Sequence, residues 1–320
     1  MERLLRTSQR VSGGSIPPIY AKASLSHEQI DVKNQIGCDG IEIQLLNELV
    51  ENRQGHVYKM VSDTFNLSEF EDKNIRVVHC PLLSGMGDVL LEMFVDNEDV
   101  MLLDKVCYIA NHYGTENRKT IVVIHSESYY SALSDLGDTW VRIRETLSKL
   151  LTSYPNIEIA IENVSPIRGI GKGGRLHLAN NFGFDNVEMV KRLRDELHTD
   201  RIGTCLDTCH AMLTDKYISA IYKEVADREP EDYSLKKFFE ENREYCKLIH
   251  LADIKGSGYG KGRHGVPFED NPNSLYHLIH IIKLYKLLSY NCPITFEVEE
   301  TDYSVCNGFA STKELFLKHW

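Results

Sequence analysis

Eight short apolar runs, each separated from the next by a stretch with helical patterning, constrain what this chain can fold into more than any other feature. The runs cover residues 19–23, 39–45, 75–80, 120–125, 157–162, 202–207, 248–252 and 294–298. They are rich in Ile and Val, bounded by turn residues, and nearly continuous in apolar character, which is the pattern of strands buried on both faces of a parallel sheet. Between them, residues 101–113, 138–153, 186–197 and 275–290 space their apolar positions as amphipathic helices do. A doubly wound sheet normally uses fewer strands and carries a glycine-rich phosphate loop after the first. Here the glycines follow the fifth run (Gly169, Gly171, Gly173, Gly174) and the seventh (Gly256 to Gly265). Eight βα units of this kind predict a single closed (β/α)8 TIM barrel spanning residues 1–320, with both glycine-rich segments as βα loops on the catalytic face. No internal repeat or domain-separating linker interrupts the pattern.

Composition narrows the function classes. Hydrophobic residues at 42% and charged residues at 26% suit a globular protein with a full core. No apolar run is long enough to cross a bilayer, and Met1 to Arg10 holds no hydrophobic signal segment, so a cytoplasmic protein without membrane contact is expected. The eight cysteines form no C-x-x-C pair and read as free, mostly buried thiols. A formal net charge of −11 repels polyanions, so binding nucleic acid would require a local basic patch or metal ions.

Six of the eight runs end in an ionisable residue. The third ends in His79, the fourth in His125, the fifth in Glu162, the sixth in Asp207 with His210 three residues on, the seventh in His250, and the eighth in Glu297. In a barrel these positions share one mouth. Imidazoles and carboxylates converging on one pocket are what a divalent ion needs to replace its water shell, and zinc, manganese and iron all accept this donor set. Histidines 27, 56, 112, 177, 198, 277 and 280 lie off the strand ends and read as ordinary core or surface residues. After the seventh run, Lys255, Lys261, Arg263 and His264 punctuate the glycine-rich loop, and cations beside a metal site suit an anionic substrate such as a phosphate.

At these residues the chain resembles the xylose-isomerase-like barrel superfamily, and within it the endonuclease IV family of metal-dependent enzymes that cut DNA at abasic sites. The resemblance is carried by Asp207-Thr208-Cys209-His210-Ala211, Ile161-Glu162-Asn163, His250-Leu251-Ala252-Asp253-Ile254-Lys255 and Arg263-His264. It implies that His79, His125 and Glu162 hold one zinc ion, while Glu162, Asp207, His250 and Glu297 hold a second. His210 and His264 would hold a third, whose remaining family ligand, an aspartate, is replaced here by Gly262. Asp253 and Glu269 are the carboxylates nearest in sequence that could substitute. A second departure is Gly37-Cys38-Asp39-Gly40-Ile41-Glu42-Ile43, which looks more like the sugar-isomerase and epimerase branch and places Glu42 where it could touch a polyol. The family's DNA-intercalating arginine loop has no counterpart near the second run.

Two enzymatic readings follow. In the first, two or three ions promote hydrolysis of a phosphodiester, with Glu162 bridging, Lys255, Lys261 and Arg263 binding a phosphate-containing substrate, and damaged DNA among the candidates. In the second, one ion held by Glu162, Asp207, His250 and Glu297 polarises a sugar or sugar phosphate while Glu162 or Glu297 moves a proton. The three further imidazoles, His125, His210 and His264, favour the hydrolase. A non-catalytic barrel with an inherited site is a third reading, which the intact donor set disfavours. Oligomeric state is not legible from these features.

Overall fold

The computed structural model describes residues 15–45, 67–81, 97–125, 137–164, 167–170, 176–178, 185–221, 230–255 and 263–320. In chain order the elements are β1 (Ile19–Ala23), α1 (His27–Ile36), β2 (Gly40–Gln44), β3 (Ile75–His79), α2 (Asn97–Tyr113), β4 (Thr120–His125), α3 (Asp138–Ser153), β5 (Ile157–Glu162), β6 (Ile167–Ile170), β7 (Leu176–Leu178), α4 (Asp185–Leu197), β8 (Ile202–Asp207), α5 (Thr208–Ile221), α6 (Leu235–Asn242), β9 (Cys246–Leu251), β10 (Asp253–Lys255), β11 (Arg263–Val266), α7 (Pro272–Leu287), β12 (Ile294–Phe296) and α8 (Asn307–His319).

Eight strands close into a barrel in the order β1-β12-β9-β8-β5-β4-β3-β2. Every neighbouring pair is parallel. Each apolar run of the sequence coincides with one barrel strand to within two residues at either end. The last strand stops at Phe296, although the Glu297 amide still donates to the Leu251 carbonyl at 3.1 Å and continues the ladder by one residue.

Alternation along the strands builds the site. Outward residues such as Ile41, Ile43, Val122, Ile124, Ile159 and Ile161 join the large core between barrel and helices. Inward residues Val77, Ile121, Val123, Ala160, Cys205 and Leu248, with Tyr20 against them, form a separate apolar plug inside the barrel. Because side chains repeat every two residues on a strand, the next inward positions above this plug are Lys22, His79, His125, Glu162, Asp207 and His250. The plug closes the barrel interior from below, so these polar groups share a floor that excludes water.

The loops differ from expectation in one respect. The segments after the fifth and seventh barrel strands, read as open glycine-rich loops, each contain a short antiparallel ladder, β6 with β7 and β10 with β11. Lys255 pairs with Arg263 in the second. Lys261, Gly262 and the side chains of Arg263 and His264 lie outside the described residues. All eight cysteines are free thiols, six of them buried. Among the described residues no helix is long and apolar enough to cross a membrane.

Candidate metal centre

Every barrel strand contributes one ionisable side chain to a ring at the C-terminal mouth: Lys22 from β1, Glu42 from β2, His79 from β3, His125 from β4, Glu162 from β5, Asp207 from β8, His250 from β9, and Glu297 just beyond β12. Within this ring the ligand atoms of His79, His125 and Glu162 lie within 4.8 Å of one another, and so do those of Glu162, Asp207, His250 and Glu297. Glu162 belongs to both groups. Its Oε2 lies 3.1 Å from His79 Nε2 and 3.1 Å from His125 Nε2. Its Oε1 faces the other way, 3.4 Å from His250 Nδ1 and 3.6 Å from His210 Nδ1.

Local structure explains why each donor points inward. Asp207 caps α5: its Oδ1 accepts the His210 amide at 2.7 Å, leaving Oδ2 on the ring side. Asn163, fully buried, clamps the same strand end, its amide donating to the Asp207 carbonyl at 3.0 Å and its oxygen accepting the Asp207 amide at 2.8 Å. Thr208 donates to the His250 carbonyl and Cys209 to the Ala252 carbonyl, which fastens β8 to β9 at the mouth. In the Asp-Thr-Cys-His run Asp207 is a donor and Thr208 and Cys209 are anchors, while His210 places Nδ1 2.8 Å from the Asn163 carbonyl, the kind of contact that orients a metal-ligating imidazole.

Two imidazoles are oriented by groups behind them. His79 Nδ1 lies 2.8 Å from the Cys80 carbonyl, so the proton sits on Nδ1 and the Nε2 lone pair faces Glu162. His250 Nε2 lies 3.0 Å from Glu42 Oε2, a carboxylate with no exposure, which directs Nδ1 to Glu297 Oε2 at 2.7 Å. Carboxylate or carbonyl partners of this kind set the tautomer of metal-ligating histidines. A lone pair facing a carboxylate is repulsive unless a cation lies between them. His250 Nδ1 and Glu297 Oε2 are also buried without a hydrogen-bond partner. Orphaned donor atoms, nitrogen and oxygen ligand chemistry, and four carboxylates in one water-poor ring together fit divalent ions.

The electrostatics agree. Burial pushes the Glu162 and Glu297 carboxyls up, yet His250 and His125 around the first, and Lys22 and His250 around the second, hold both well below the ordinary range. Burial works to lower the His250 imidazolium, but Cys205, Glu42, Glu297 and Glu162 raise it well above its usual value. Asp207 is raised, chiefly by burial and then by Glu297 and Glu162, with His210 opposing. The ring attracts positive charge.

The expected donors His79, His125, Glu162, Asp207, His250 and Glu297 thus stand together. His210 borders the ring through Nδ1. Asp253 accepts from the Ile254 amide and the Ser274 hydroxyl and lies 2.7 Å from His277 Nδ1. Lys255 is 70% exposed beside Glu269 and lines a separate cleft with Asp253 and His277. Glu42 does not reach a substrate position: closure of β2 against the ring buries it behind His250. Lys22 was missed, although a lysine inside the run Ile19-Tyr20-Ala21-Lys22-Ala23, two residues past an inward tyrosine, was the available signal.

A curated relative, a probable endonuclease 4 of Metamycoplasma arthritidis, is 23% identical over 188 residues, covering 59% of this chain and 56% of its own length. The match thus spans little more than half of that protein. Among solved structures, a xylose isomerase domain containing protein from Salmonella typhimurium LT2 superposes with a TM-score of 0.58 at 13% identity, covering 96% of this chain and 98% of its own. The D-allulose 3-epimerase from Methylomonas sp. does so with a TM-score of 0.56 at 12% identity, covering 96% and 99%. Identities this low speak for the fold alone. The family model described as xylose isomerase-like TIM barrel matches residues 32–315, and the chain belongs to that family.

Proposed function

We propose that this protein is a metal-dependent phosphodiester hydrolase whose site holds two divalent ions, zinc by the family resemblance, one among His79, His125 and Glu162 and the other among Glu162, Asp207, His250 and Glu297. The observation that carries this reading is the division of Glu162, with Oε2 given to two imidazoles and Oε1 to the opposite cluster. A one-ion enzyme has no task for the pair His79 and His125. Bound divalent ions supply an acidified water and neutralise charge on the phosphate and leaving oxygens. Hydrolysis adds the oxygen of water to phosphorus, breaks the ester P–O bond and delivers a proton to the leaving oxygen. The chain's own part is to hold the donors still: Cys80 and Glu42 set the imidazoles, Asn163 and the α5 cap set Asp207, and the apolar plug excludes bulk water.

The second reading, isomerisation or epimerisation of a sugar, rests on the four-donor cluster being complete without His79 and His125. Elemental analysis of protein purified without added metal separates the two. Two or more tightly held ions per chain, falling in Glu162→Gln, support the hydrolase, and cleavage of bis(4-nitrophenyl) phosphate and of an abasic-site oligonucleotide then divides small diesters from DNA. One exchangeable ion per chain, unaffected by loss of His125, overturns it in favour of the isomerase.

A further inference from the structure

Two members of the ring are assigned to no ion, Glu42 and Lys22, and of the two Lys22 is the one that lines a cleft. Its placement is built into the fold. The Lys33 ammonium, on α1 and only 1% exposed, donates to the Lys22 carbonyl and ties down the backbone. The side chain follows Tyr20 on the inner face of β1 and brings Nζ to 2.5 Å from Glu297 Oε1 and 3.5 Å from Glu42 Oε1. The longer contact is not a hydrogen bond, because Glu42 Oε1 has no partner. One ammonium hydrogen is therefore committed to Glu297. The side chain, 12% exposed, also lines a cleft of about 410 Å³ beside the ring, bordered by Ser24, Gln44, Glu297, Val298, Glu299 and Tyr303. Its remaining hydrogens have that cleft to face.

Glu297 is divided as Glu162 is: Oε2 meets His250 and the second cluster, while Oε1 meets Lys22. An ion held by Oε2 would leave the Lys22 contact to Oε1 intact. Glu297 and Glu299 line the cleft, so an anion enters it only against positive charge on the ring beside it. Glu42, Glu162, Asp207 and Glu297 against Lys22 leave a formal −3, which two divalent ions convert to +1. Without the lysine the loaded ring would be neutral, and with one ion it would be negative.

We propose that Lys22 forms an oxyanion subsite, docking a non-bridging oxygen of a phosphate group beside the Asp207, His250 and Glu297 cluster. The inference rests on the two-ion reading and adds its substrate charge: a singly charged phosphodiester complements the loaded ring. A lysine suits this role as a compact point charge with several donors.

The test compares wild type with Lys22→Met at saturating zinc, measuring bound ions by elemental analysis, inorganic phosphate binding by calorimetry, and turnover of bis(4-nitrophenyl) phosphate. Two retained ions, phosphate binding weakened at least about tenfold, and kcat lowered roughly 10²–10³-fold, the cost of removing one oxyanion donor, are expected. Lys22→Gln, which keeps a polar contact to Glu297 without the charge, reads the same quantities if the methionine variant does not fold. Unchanged phosphate binding with both ions present overturns the subsite. Loss of ions in the variants also overturns it, since Lys22 would then position Glu297 and not receive the anion. A wild-type count of one ion removes the two-ion reading itself, whatever the variants do.

Discussion

Replacing Glu42 with glutamine tests the centre from behind, without touching an atom assigned to an ion. Glu42 has no exposure, and its Oε2 lies 3.0 Å from His250 Nε2. Glutamine keeps the volume and can still accept one hydrogen bond from the imidazole, but it removes the negative charge that raises His250 basicity. Loss of such a partner weakens a metal site by about 10–100-fold, or roughly 1.4–2.7 kcal/mol at 1.4 kcal/mol per decade. The loss should be selective. Glu42 touches His250, a donor to the Asp207 and Glu297 cluster, whereas the cluster of His79, His125 and Glu162 is oriented by the Cys80 carbonyl. A zinc titration against a competing chromophoric chelator should therefore show one site weakened by that factor and the other changed much less. With ion concentration limiting, the melting temperature of the loaded protein should fall by about 2–4 °C, taking roughly 2.1 cal/mol/K per residue over 320 residues. Two sites weakened equally, or neither, would refute the claim that Glu42 acts through His250.

Chelated protein should lose stability as pH rises. The folded His250 pKa is raised well above 6.5, so its contribution is present below that unfolded value and disappears as pH climbs through the folded one. Thermal melts in chelator from pH 6.5 upward check this, and an equal slope in zinc-loaded protein, whose His250 Nδ1 carries no proton, would count against it. At the acid end, the depressed Glu162 and Glu297 carboxyls contribute stability above about pH 4.5 that is lost as pH falls through their folded values. Asn163→Ala strips the Asp207 amide and carbonyl of buried partners, at about 1–3 kcal/mol each. Denaturant unfolding together with zinc titration should show both lower stability and a weakened second site. Gly37→Ala should cost about 1–2 kcal/mol with no effect on ion binding, because Gly37 ends α1 at φ 94° and an added methyl would approach Lys313 Nζ at 3.0 Å. An unchanged denaturation midpoint would contradict that strain.

Apolar runs with inward positions two apart were legible because a strand buried on both faces has to be written in apolar residues, and a polar residue at its end costs too much to stand there without a task. That logic located His79, His125, Glu162, Asp207, His250 and Glu297 on one mouth. It also made the Asp207-Thr208-Cys209-His210 run conspicuous, although the anchoring duties of Thr208 and Cys209 became visible only with β9 alongside. Two residues escape it. Lys22 lies inside its run, where attention to strand ends passes over it, and Glu42 reads as placed to touch a polyol, whereas its carboxylate is buried against His250.

The sequence by itself determined the eight strands, their order along the chain and the ionisable residues at their ends, because these depend on local periodicity. Only the tertiary structure decided which donor faces which. Glu42 meets His250 across 208 residues of chain, and Lys22 meets Glu297 across 275. The two oxygens of Glu162 face opposite clusters, His79 and His125 from the strands on one side of β5 and His250 from beyond β8 on the other. Such pairings arise from barrel closure and register, which are set by the sum of many parallel strand contacts and leave no local trace in the residues they bring together.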